Sequence, residues 1–183
     1  MKRVFLAAAI TAALTSANGM ADTITLNGEL LEEGCKIGNN DTSDITLNKI
    51  TAKQVKEVAV GTELLNQTDS FKISNCPGYD VRIEFNATAP ANFPDAIVNT
   101  DTPSGDYVAH YLRDARRVDR ISLTNPSTNA AWLAGDEARA AQSAVGFQFP
   151  VLVGYTKIQD VPVGATPSGT TTSTVDLTIT YDN

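Results

Sequence analysis

Apolar side chains in this sequence recur at every second position, and that period constrains the fold more than any other feature. Val81, Ile83 and Phe85 alternate with Arg82, Glu84 and Asn86, and Phe71 and Ile73 alternate with Lys72 and Ser74. Near the end of the chain, Val175, Leu177, Ile179 and Tyr181 alternate with Thr174, Asp176, Thr178 and Thr180. Successive side chains of an extended strand point to opposite faces, so each run reads as a strand with one dry and one wet face. The stretch 145–158 places Phe147, Phe149, Val151, Val153 and Tyr155 at alternate positions, and its Pro150 predicts an edge strand or a bulge. Turn residues separate the runs: Asn75-Cys76-Pro77-Gly78, Ala89-Pro90, Thr102-Pro103-Ser104-Gly105 and Pro167-Ser168-Gly169. Short strands at this spacing predict an all-β chain folded as an antiparallel sandwich. One segment departs from the period. Residues 130–144 are rich in alanine, with Glu137 and Arg139, and predict a short helical excursion despite Gly135, with Trp132 and Leu133 touching the sandwich.

The first 21 residues read as a secretory signal. Lys2 and Arg3 precede an apolar stretch from Val4 to Leu14, and small residues at Gly19 and Ala21 suit cleavage after Ala21, with Ala17 as the alternative point. The apolar stretch is too short to span a bilayer. Without Lys2 and Arg3 the chain keeps 12 basic against 21 acidic residues, net −9. That balance argues against nucleic acid or an anionic membrane surface as a partner, since phosphate recognition needs clustered Lys and Arg. Export also changes how Cys35 and Cys76 are read. Thiols persist in the cytosol and pair outside it, so a Cys35–Cys76 disulfide is expected, with two free buried thiols as the competing reading. Closing a loop of this length stabilises a fold by about 4 kcal/mol in the chain-entropy model.

Residues able to carry chemistry are few. His110 is the sole histidine, and Asp106, Asp114, Ser104, Ser122 and Ser127 are the nearest candidates to complete a hydrolase triad. No Gly-x-Ser-x-Gly elbow accompanies them, so a surface or packing histidine is expected and no catalytic residue is assigned. With one histidine and two cysteines, zinc and copper ligands are scarce, and no metal or cofactor is expected. The polar run 39–44 has some of the oxygen ligands of a calcium loop but lacks the glycine and final glutamate, and reads as a turn. Arg113, Arg116, Arg117 and Arg120 read as a solvated hairpin with Asp114 and Asp119. Two Asn-x-Thr sequences, at Asn66 and Asn86, match the glycosylation pattern and receive no weight.

The two ends of the chain carry more. After cleavage the chain would begin DTITLNGELL, with Ile24, Leu26, Gly28 and Leu30 on one face and Thr23, Thr25, Asn27 and Glu29 on the other. A first strand lying in its own sheet is compatible with that alternation. Residues 23–37, TITLNGELLEEGCKI, also resemble the mature start of pilins assembled by the chaperone–usher pathway. Residues 71–77, FKISNCP, look like the second-cysteine strand of the same family. Gly169 stands 12 residues before Tyr181 in a strand of alternating Thr and aliphatic residues, similar to the family's glycine and near-terminal tyrosine, with two residues beyond the tyrosine where the family usually has one. The middle of the chain, about 100–144, matches poorly.

What the resemblance implies is specific. The fold would be an incomplete immunoglobulin-like β-sandwich lacking its last strand, with residues 22–33 as an N-terminal donor-strand extension and 34–183 as the pilin domain. Ile24, Leu26, Gly28 and Leu30 would fill the groove of the next subunit. Gly169, Val175, Leu177, Ile179 and Tyr181 would form the strand gripped by a periplasmic chaperone. An outer-membrane usher and identical or related subunits would be the other partners. The product would be a structural subunit of a cell-surface fimbria, reached through the periplasm and supporting adhesion. A minor or adaptor pilin, or an exported monomeric binding module or hydrolase, would be the alternatives.

Overall fold

The computed structural model describes residues 22–29, 34–38, 42–78, 80–100, 107–117, 119 and 121–182. The signal segment 1–21 lies outside the described residues, as do Leu30, Ser104, Asp106 and Arg120. The fold is mostly β, in two sheets. The strands are β1 (Asp22–Glu29), β2 (Lys36–Ile37), β3 (Thr42–Leu47), β4 (Gln67–Ser74), β5 (Asp80–Asn86), β6 (Val108–Asp114), β7 (Ala130–Leu133), β8 (Phe147–Lys157) and β9 (Thr172–Asp182). Two short helices, α1 (Ala52–Glu57) and α2 (Asp136–Gln142), interrupt them. One sheet has the order β3-β1-β9-β5-β7 and the other β2-β4-β8-β6.

The alternation read in the sequence becomes the interior of a sandwich. Val81, Ile83 and Phe85 of β5 and Val175 and Leu177 of β9 are buried from one sheet, and Phe71 and Ile73 of β4 and Phe149, Val151 and Val153 of β8 from the other. Three phenylalanines join the layers. Phe71 and Phe149 stack at 5.1 Å between centroids within one sheet, and Phe85 of the facing sheet approaches them at 6.1 and 5.8 Å. The disulfide expected between Cys35 and Cys76 is present. It ties the start of β2 to the residues just after β4, whose pairing with β2 is only Lys36 with Ser74 and Ile37 with Ile73.

Five local expectations are corrected. The alanine-rich segment is helical only in its second half. Residues Ala130–Leu133 instead pair with Val81–Glu84 as an edge strand, burying Ala131 and Leu133, and Gly135 with φ 56° turns the chain into α2. Tertiary pairing here overrides the helical propensity of alanine. Trp132 accordingly faces outward, 48% exposed, with the Arg82 guanidinium over its ring. The run containing Pro150 is no edge: β8 lies between β4 and β6. The Pro150 carbonyl accepts from the Ala115 N–H just past the end of β6, so its nitrogen, which has no proton to donate, points to the side where that neighbour has stopped. Within the polar run 39–44, Thr42, Ser43 and Asp44 already belong to β3.

The fifth correction is the arginine hairpin. Asp114 is buried, and its carboxylate takes hydrogen bonds from Arg116 Nε at 2.9 Å and Nη2 at 2.7 Å, while Arg116 Nη1 reaches Glu137 Oε2 at 2.7 Å and the Trp132 carbonyl at 3.1 Å. The guanidinium also covers the Phe149 ring at 4.3 Å. Burial opposes its charge, but Asp114 and Glu137 outweigh that and hold its pKa above the ordinary arginine value. The group links β6, β7 and α2 rather than facing water. Arg116→Met is expected to strand the Asp114 carboxylate in the interior and cost about 3 kcal/mol, to be measured as the loss in unfolding free energy in urea.

Two further elements had sequence signals that hydrophobic period does not report. Helix α1 begins at Thr51, whose hydroxyl accepts from the Gln54 N–H at 3.2 Å while Gln54 Oε1 accepts from the Thr51 N–H at 2.8 Å. This is a capping box, visible in the sequence as Thr-x-x-Gln. At Gly154 a Cβ would stand 1.8 Å from the Leu65 carbonyl oxygen, so β8 can pass beneath that loop only with glycine there.

Candidate functional site

The candidate site is the seam in the first sheet that β1 occupies. On one side β1 runs antiparallel to β3, with Ile24 opposite Ile45 and Leu26 opposite Ser43. On the other it runs parallel to β9, with Thr23 opposite Thr172, Leu26 opposite Val175 and Gly28 opposite Leu177. It is the one parallel pairing among the described strands. Parallel neighbours ordinarily need a long crossover between them, but here the partners are the first and last strands of the described chain.

That placement differs from a terminal strand held outside its own domain. Ile24 and Leu26 are each 0% exposed, in the interior of this same chain. The physical reason is plain: two apolar side chains on one face gain about 1.5–3 kcal/mol each on burial, and the edges of β3 and β9 have backbone groups to pair. Gly28 continues the ladder, and Leu30 lies outside the described residues. The link from β1 to the rest of the domain passes only through residues 30–35, so the strand is tethered at its C-terminal end near Cys35.

The opposite wall is β9. Val175 and Leu177 are buried, and Ile179 and Tyr181 are partly buried against the core, in register with Ile83 and Val81 of β5. All four side chains thus lie on the inward face that the alternation assigned to them. Gly169 has φ 119°, a conformation that side chains beyond glycine rarely adopt, and lies three residues ahead of β9. The N-terminal end of the seam is polar. Asp22 is buried, and its Oδ1 accepts from the Thr171 N–H at 2.6 Å. His110 of β6, also wholly buried, crosses to the same place from the other sheet.

His110 is therefore a packing residue. Its ring nitrogens meet the hydroxyls of Ser173 and Thr171, and neither Ser122 nor Ser127. The ring has no exposure, so no substrate could reach it. Among the described residues no group of three His, Cys, Asp or Glu side chains is placed to hold a metal ion. An open cleft of about 470 Å³ lies at the β5–β9 end of the sheet, lined by polar groups that include Asn86, Thr88, Thr100 and Asp176. It contains neither histidine nor cysteine nor lysine. No protein-family model matches the chain, and no curated protein is detectably similar to it.

Proposed function

We propose that this chain is a structural subunit of a surface fimbria, polymerising head to tail by donor-strand exchange. The observation that carries the reading is the seam itself: the strand that completes the sheet between β3 and β9 comes from the N-terminal end, and cleavage after Ala21 would leave it tethered only at its C-terminal end. Removing such a strand needs no threading of the chain. A strand from another copy can take its place by the same ladder and the same apolar contacts, as in β-augmentation of pilins by chaperones and by neighbouring subunits. In this reading the domain proper is an immunoglobulin-like sandwich lacking its last strand, and β1 fills its own seam until it is exchanged.

Ile24, Leu26, Gly28 and Leu30 then supply the donor face. Val175, Leu177, Ile179 and Tyr181, led in by Gly169, supply the strand that a periplasmic chaperone holds before the usher passes the subunit on. Each copy both receives and gives a strand, so the contact is heterologous and the polymer open. The acidic, single-domain chain needs no cofactor for this task. A minor or adaptor pilin of the same fimbria has the same parts, and its low abundance in sheared filaments would mark it.

A second reading has its own support. With Ile24 and Leu26 already buried in their own sheet, the chain also suits an exported monomer, a binding module complete without a partner. Export of the protein with a pilus chaperone and usher separates the two. A fimbrial subunit is expected to purify as a complex with the chaperone and to form surface filaments composed of this chain. A stable monomer that neither binds the chaperone nor polymerises would establish the second reading.

A further inference from the structure

Where β1 begins, a chain of buried polar groups joins the two sheets. His110 Nδ1 lies 2.7 Å from Ser173 Oγ, and Nε2 lies 3.0 Å from Thr171 Oγ1. Ser173 Oγ is 2.9 Å from the Val98 carbonyl oxygen and 3.2 Å from Asn99 Oδ1, and directs its one proton there. It therefore accepts from Nδ1–H, and Nε2 accepts from the Thr171 hydroxyl. The neutral ring satisfies both contacts. Thr171 is also the residue whose N–H holds Asp22 Oδ1 at 2.6 Å, so a single residue connects the histidine to the first residue of β1. The second oxygen of Asp22 is buried without a well-formed hydrogen bond, beside the Tyr155 hydroxyl.

We propose that this cluster is a proton-sensitive latch on β1, in which protonation of His110 disturbs its contact with Thr171, the residue that holds Asp22, and favours release of the strand from its own seam. A second proton on the ring turns Nε2 from acceptor to donor. The Thr171 hydroxyl must then rotate to accept, and a positive charge is left in an apolar interior. The titratable groups that face His110 among the described residues are Asp22 from β1 and Tyr155 from β8, whose ring centroid is 5.2 Å away. Segment 97–99 and the start of β9 contribute amide, carbonyl and hydroxyl groups.

Burial lowers the His110 pKa from 6.5 to about 4, with the Asp22 charge opposing only in part. Burial also pushes the Tyr155 hydroxyl far up, helped by Asp22, so it stays neutral across this range. In the open form of this proposal Asp22 has left with β1 and water reaches the ring, which returns it toward its ordinary value. The seated strand therefore has its full advantage above pH 6.5 and loses it as pH falls from there toward 4. From pH 7.5 to pH 5 the release equilibrium shifts roughly 25-fold toward the open form. The latch concerns one chain and its own strand, so it applies equally to a fimbrial subunit and to a monomer, and a failed filament assay leaves it standing.

Amide hydrogen exchange of the full chain, corrected for the intrinsic effect of pH, tests the proposal. Protection of residues 22–29 is expected to fall roughly 25-fold between pH 7.5 and 5, while β4 and β8 keep theirs. In His110→Gln, whose amide can serve both hydroxyls without titrating, that response should vanish. Because the chain has one histidine, its ring resonance can also be followed in the unmodified protein, so the inference remains testable even where the variant does not fold. Titration of His110 near 6.5 in the folded chain, unchanged protection of β1 at pH 5, or an equal pH response in the glutamine variant would overturn it.

Discussion

Deletion of residues 22–29 is expected to leave a chain that does not fold alone but folds when a peptide of the same sequence is supplied. Ile24 and Leu26 are both fully buried, so their loss removes about 3–6 kcal/mol of apolar burial. The ladders to β3 and β9 are lost as well, which opens the first sheet down its length. Against a total stability of about 5–15 kcal/mol for a domain of this size, that is enough to unfold it. Leu26→Asp should act similarly, because it puts a carboxylate where the seam must close dry. Size-exclusion chromatography and circular dichroism of the truncated chain, with and without peptide, provide the check. A truncated chain that stays monomeric and folded without peptide would show that the seam can close by itself. Restoration by the peptide would show that the seam accepts a strand in trans, the capacity that polymerisation requires.

Replacing both cysteines by serine is expected to lower unfolding free energy by about 4 kcal/mol, from the entropy regained by the unfolded chain when a long loop is opened. The loop runs over a sequence separation of 41. Its local consequence is larger than that figure suggests. Strand β2 has only two residues, paired with Ile73 and Ser74, and the tether of β1 enters the domain at this point. Without the covalent link, the tether of β1 is anchored to β4 by the two residues of the β2 ladder alone. Urea unfolding should show the midpoint shifted by roughly 2 M, with β1 amides losing protection before those of β5. An unchanged midpoint would mean that β2 and the start of the tether are held by packing without help from the bond.

Alternation in the sequence was enough to identify the inward residues of β4, β5 and β9, because a strand with one wet face must place every second side chain in the core. The same reasoning marked Ile24 and Leu26 as a buried face. It did not reveal whose interior would bury them. Their own sheet has that role in this chain, between β3 and β9, and period two is the same for a strand in its own domain and a strand lent to another. The disulfide was legible from compartment and count, since two cysteines allow one pairing.

Other features depended on neighbours far along the chain. Residues 130–144 have helical composition throughout, yet the first part is a strand because β5 presents an unpaired edge to it. Pro150 belongs to a central strand because β6 ends beside it. Arg116 and Asp114 read as solvated charges and are enclosed, since Phe149, Trp132 and Glu137 meet them from β8, β7 and α2. His110 shares no local motif with Asp22, Thr171 or Ser173, and only the closing of the two sheets brings a residue of β6 against the ends of β1 and β9. Local sequence thus determined which faces are dry, because burial leaves a periodic trace along the chain; the choice of strand partners and the meeting of distant polar groups were decided by tertiary packing, where the interacting residues lie too far apart to leave one.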